Sequence, residues 1–101
     1  MNDIIIYALR ETDEEKIKTI KENLIKIFSK LTKEQTGCRI FIQREYFSFT
    51  TLQTSMSLRY ESIREIKIRI FSDFFEICIW HGKNDFLNFN IQGKYSEVMK
   101  Q

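Results

Sequence analysis

The sequence predicts an α+β fold. One long N-terminal amphipathic helix lies on one face of a mainly antiparallel sheet of about five to six strands, in the order β-α-β-β-(β or loop)-β-β-β. Two patterns carry this. Apolar residues recur at spacings of three and four after Thr12, and several later runs alternate with period two and end in turn-forming residues.

The elements follow in order. Ile4 to Leu9 is a short run in which both alternation sets are apolar, which predicts a central strand covered on both sides. Thr12 with Glu15 forms a capping-box signature, and Asp13 and Glu14 suit the positive end of a helix dipole. Ile17, Ile20, Leu24, Ile27, Phe28 and Leu31 make one buried stripe, and Gly37 supplies a stop, so the helix is expected over about 13–35. Cys38 to Gln43 alternates with Cys38, Ile40 and Ile42 inward, and Tyr46 to Thr50 is a second β-rich run. Residues 51–63 fit either period. Their Ser and Thr content disfavours a helix, so strand or loop is expected there. A helix over 52–63 would give the strand–helix order of an RNA-recognition motif. The glycines of that motif's aromatic strand are absent from Arg44 to Phe49, so no such family is assigned.

The last three strands read as a meander. Ile66, Ile68 and Ile70 point inward, then Phe75, Ile77 and Ile79, then Leu87, Phe89 and Ile91. Ser72-Asp73 and Gly82-Lys83-Asn84-Asp85 are the connecting turns.

A chain of 101 residues with 43% apolar content is sized for one domain, 1–101, with a core that needs no staples. Sixteen basic residues against fourteen acidic ones leave a net charge of +2, too little for a dedicated duplex-binding protein. Cys38 and Cys78 stand far apart in sequence without a C-x-x-C pairing, as expected of reduced, packed thiols in a cytoplasmic protein. The acidic start and short apolar run predict neither a signal sequence nor a membrane association. The lack of proline and the weight of Ile and Lys suit an A/T-rich coding sequence, such as some bacteria and their phages carry.

No catalytic, metal or cofactor site is predicted. His81 is the only histidine and has no partner at useful spacing. Cys78 and His81, three apart on a strand, face opposite ways; Cys38 could reach His81 only if their strands were neighbours. Glu65, Asp73 and Glu76 could gather at one hairpin, which is the basis of a small-hydrolase alternative.

Strand parity does predict a surface. With the Ile/Phe side on the helix, the opposite face carries Trp80, Phe41, Arg39, Arg69, Lys67, Asn88 and Asn90. Trp and Arg are enriched where binding energy concentrates. The expectation is therefore a non-enzymatic protein-binding module, of the inhibitor or immunity type that neutralises a bacterial toxin or defence enzyme. One alternative uses the same face for single-stranded nucleic acid, through aromatic stacking and phosphate pairing, and a homodimer of two open sheet faces is compatible with any of these readings.

Overall fold

The computed structural model describes residues 2–8 and 15–100. Its elements are β1 (Asn2–Ala8), α1 (Lys16–Phe28), α2 (Lys33–Thr36), β2 (Arg39–Ile42), β3 (Tyr46–Thr50) and β4 (Ser55–Arg59). A 3₁₀ turn (Tyr60–Ser62), β5 (Ile63–Ile70), β6 (Phe74–His81), β7 (Asp85–Gln92) and α3 (Tyr95–Val98) complete the chain.

The strands form two antiparallel sheets, not the one expected: a four-stranded sheet in the order β1-β5-β6-β7, and a three-stranded sheet β2-β3-β4. Alternation tells which side chains face a core but not which strands share hydrogen bonds. The 3₁₀ turn is where the chain changes sheets. The Tyr60 amide still donates to Glu45 of the small sheet, and the Ser62 carbonyl already accepts from Gly82 of the large one. The ambiguous 51–63 segment thus resolves into a strand and a sharp corner. Before it, the Thr51 hydroxyl accepts from the amides of Gln53 and Thr54 and closes the β3–β4 turn.

The helix is shorter than expected. Lys30 and Leu31 bond three residues back, to Ile27 and Phe28, and α1 tightens and stops. Thr32 is extended and starts α2 with a capping box: its hydroxyl accepts from the Gln35 amide, and the Gln35 side chain accepts from the Thr32 amide. Gly37, at φ 77°, ends the short α2 and not the single long helix expected to run up to it. Of the predicted first capping box, Glu15 stands at the N-cap of α1, while Thr12, Asp13 and Glu14 lie outside the described residues.

β1 is an edge strand, not a central one. A register shift between Ile5 and Tyr7 lets Ile4 and Tyr7 share the inner face with Ile68 and Ile66. Ile5 stands opposite Lys67 and is 62% exposed. The meander β5-β6-β7 forms as predicted, with Ile66, Ile68, Ile77, Ile79 and Ile91 buried and Ile70 half-buried.

The core lies between the large sheet, α1 and the small sheet. Ile20, Leu24, Ile27 and Phe28 of α1 are buried, whereas Ile17 at the start of the stripe is exposed. Phe28 meets Phe89 at 5.1 Å and Phe47 at 5.3 Å between ring centroids, and Phe49 meets Phe89 at 5.6 Å. Each fully buried side chain of this size is worth roughly 1.5–3 kcal/mol. The tail packs on the inner side too, with Tyr95 edge-on to the buried Phe75 ring. Gly93 permits this return: at φ 111° it adopts a backbone that side chains avoid, and a Cβ there would stand 2.8 Å from Val98 Cγ2.

Candidate binding face

The outward face of the large sheet is built in rows by the β5-β6-β7 register. Glu65, Trp80 and Phe86 form one row; Lys67, Cys78 and Asn88 the next; Arg69, Glu76 and Asn90 the third. β1 adds Asp3 opposite Arg69 and Ile5 opposite Lys67. Five of the seven expected residues, Trp80, Lys67, Arg69, Asn88 and Asn90, therefore share one surface.

Arg39 and Phe41 do not join them. They lie on the outer face of the small sheet, across the core from Trp80, because β2 pairs with β3 and not with β5. Phe41 is exposed there beside a hydroxyl ladder in which Ser48 bonds to Gln43 at 3.2 Å and to Ser57 at 3.0 Å. On the same side the Arg59 guanidinium bonds to the Tyr46 hydroxyl and sits 5.3 Å from that ring's centroid.

Trp80 is 39% exposed and Phe86 42%, and their rings meet at 4.7 Å with a 47° tilt. The described part of the tail, up to Lys100, does not seal Trp80. Phe86 was not expected at this site, since the turn signal through Asp85 pointed to a strand starting at Leu87. Its parity with Asn88 and Asn90 is the signal that would have found it.

Charge on the face is of both signs. Lys67 Nζ lies 3.9 Å from Asp3, and the Asn88 amide donates to Glu76. The Arg69 guanidinium lies 5.6 Å over Phe71, which stacks on Phe74 at 4.4 Å. Beneath these side chains Cys78 is completely covered. Burial first, then the Glu76 charge, push its thiol up to about 11 despite Arg69 and Lys67. At neutral pH it is a protonated packing group, not a nucleophile.

At the Trp80 end lies an open concavity of about 450 Å³, lined by Arg64, Glu65, Lys67, Trp80, His81 and Lys83 among others. Arg64 reaches the turn beside it and donates to the Lys83 carbonyl at 3.1 Å.

The hydrolase arrangement is not assembled. Glu65 and Glu76 stand in rows separated by the Lys67–Cys78 row, and Asp73 lies in the β5–β6 turn. Cys38, at the start of the small sheet, is not beside His81 of the large one. Among the described residues no group of three or more His, Cys, Asp or Glu is placed to hold a metal ion, and no helix is long and apolar enough to cross a membrane.

No protein-family model, curated protein or solved structure matches this chain.

Proposed function

We propose that this chain is a protein-binding module that captures its partner on the outward face of the large sheet. The observation that carries the proposal is the exposed Trp80–Phe86 pair, set on adjacent strands beside Lys67, Arg69, Asn88 and Asn90. Aromatic anchors ringed by polar and charged groups are how interfaces concentrate binding energy. Strands hold the two rings in place before binding, which reduces the ordering cost of association. A rigid patch of this kind suits an inhibitor of the immunity type, covering the site of a toxin or defence enzyme in the cytoplasm. The unpaired, buried Cys38 and Cys78 are consistent with such a reducing compartment.

Charge balance favours a protein over a polyanion. Asp3, Glu65 and Glu76 offset Lys67 and Arg69 along the rows, so a nucleic-acid backbone would meet no continuous basic track. The specific observation for single-stranded nucleic acid is the local cluster of Arg64, Lys67 and Lys83 around Trp80.

The test is affinity capture from the native host with three chains, the wild type, Trp80→Ala/Arg69→Ala and Arg39→Ala/Phe41→Ala, together with a titration of the wild type with oligonucleotide. A protein retained by the wild type and by the small-sheet variant, and lost from the Trp80/Arg69 variant at an unchanged melting temperature, supports the proposal. Retention by both variants overturns it. Oligonucleotide affinity that falls steeply between about 50 mM and 200 mM salt would shift the assignment to nucleic acid. A dimer in sedimentation that dissociates in the Trp80/Arg69 variant would make the partner a second copy.

A further inference from the structure

We infer that the concavity beside Trp80 receives an acidic segment of the partner protein, with an apolar side chain of that segment seated on the Trp80–Phe86 pair. The inference rests on the protein-binding reading above and adds the partner's chemistry to it. Along the middle and far rows the face is self-neutralising, with Lys67 near Asp3 and Arg69 opposite Glu76. The Trp80 end is different. Among the described residues, Arg64, Lys67 and Lys83 line the concavity together with the carboxylate of Glu65.

Arg64 is exposed, and its guanidinium is tethered to the carbonyls of Gly82 and Lys83, which holds its charge beside the turn. Lys83 is exposed on the turn itself. These cations line the concavity together with the indole, and Phe86 lies against the indole from the adjacent strand. A carboxylate following an apolar residue in an extended strand would find the cations while its neighbour covers the rings. An oligonucleotide would need several phosphate contacts along a track, and in the row beyond Lys67 the one cation, Arg69, stands between Asp3 and Glu76.

Trp80 is the only tryptophan, so intrinsic fluorescence reports on this site alone. The probes are three synthetic peptides that share a Phe and differ in flanking residues: glutamates, serines or lysines. A short oligothymidylate is the fourth. The expected result is saturable change with the glutamate peptide, weaker change with the serine peptide, and none with the lysine peptide. Lys67→Glu/Lys83→Glu should weaken glutamate-peptide binding about tenfold or more, the scale of losing charged hydrogen bonds. Lys83→Glu alone, a change on an exposed turn, should weaken it by a smaller factor and guards against a folding defect in the double variant.

Equal binding of the glutamate and serine peptides, unaffected by the charge changes, overturns the acidic preference and leaves the protein-binding face standing. Preference for the oligothymidylate over every peptide overturns both. No response to any probe, with the wild type folded, overturns the acidic-segment inference; the capture experiment then decides the face separately.

Discussion

The Tyr60 hydroxyl lies 2.5 Å from the Gln43 carbonyl, and it reaches the Tyr46 carbonyl at 2.7 Å. Its ring is almost completely buried at the corner where the chain leaves the small sheet for the large one. One side chain thus ties that corner to both ends of the β2–β3 turn. Tyr60→Phe keeps the ring and removes the donor: the Gln43 carbonyl loses its bond from the hydroxyl, while the Tyr46 carbonyl keeps the one it accepts from the Gln43 amide, at a cost of about 1–3 kcal/mol. The melting temperature should fall by about 4–8 °C for each kcal/mol lost in a domain of this size. Thermal melts of the two proteins check this; an unchanged midpoint would mean the hydroxyl carries no weight at the corner.

That corner also marks the limit of what the sequence makes legible. Parity within a strand is local, so the inward isoleucines and the outward Trp80, Lys67, Arg69, Asn88 and Asn90 could be sorted correctly. Short turns at Ser72-Asp73 and after His81 leave β5, β6 and β7 no choice but to be neighbours. Nothing local states that β2, β3 and β4 form a sheet of their own away from β5, and parity alone therefore sets Arg39 and Phe41 on the wrong sheet. The helix break is a different case. Thr32 and Gln35 carry a capping-box signature in plain view, but Leu31 continues the apolar stripe of α1 and hides the stop.

Cys78 makes stability depend on alkaline pH. Its thiol is raised to about 11 in the folded chain, by burial and then by Glu76, against about 8.5 for an exposed thiol in an unfolded one. The folded state therefore holds the proton more tightly. Its contribution is complete below about pH 8.5 and is lost as pH rises toward the folded value, by up to about 1.4 kcal/mol per pH unit. Cys78→Ala removes this component, so urea melts from neutral to alkaline pH should show a shallower loss for the variant. Parallel pH profiles would mean that the thiol is not protected beneath the face.

The two buried thiols should also be silent to a disulfide reagent in the native protein at neutral pH. Cys38, like Cys78, is raised by burial, which outweighs the lowering by its Thr36 hydrogen bond. Both cysteines should react once the chain is unfolded in guanidinium. Rapid native reaction at one site would locate a local opening, at the start of β2 for Cys38 or under the Trp80 face for Cys78.

Phe28 and Phe89 join α1 to β7 through an edge-on ring contact at 5.1 Å, and Phe47 and Phe49 close the same cluster from the small sheet. Phe28→Leu and Phe89→Leu should each destabilise by about 0.5–3 kcal/mol. The double variant should lose less than their sum, by about 0.5–1.5 kcal/mol, the part that belongs to the ring pair itself. Denaturant melts of all four proteins give the cycle. Strict additivity would show that the two rings contribute separately and that the sheets are held together elsewhere in the cluster.

Ile5 separates an edge strand from a covered one. It is 62% exposed on the outward face opposite Lys67, whereas Ile66, one strand in and on the inner face, is fully buried. Ile5→Glu removes little buried apolar area and sets a carboxylate across from a lysine, a pair worth about 0.2–1 kcal/mol. The variant should match or slightly exceed the wild type in stability. It should also aggregate less on concentration, because a charge now guards an edge otherwise lined by three isoleucines. Ile66→Glu, which buries an unpaired carboxylate, should fail to fold at all. Ile5→Glu losing stability on the scale of a core substitution would mean that β1 is covered on its outward face.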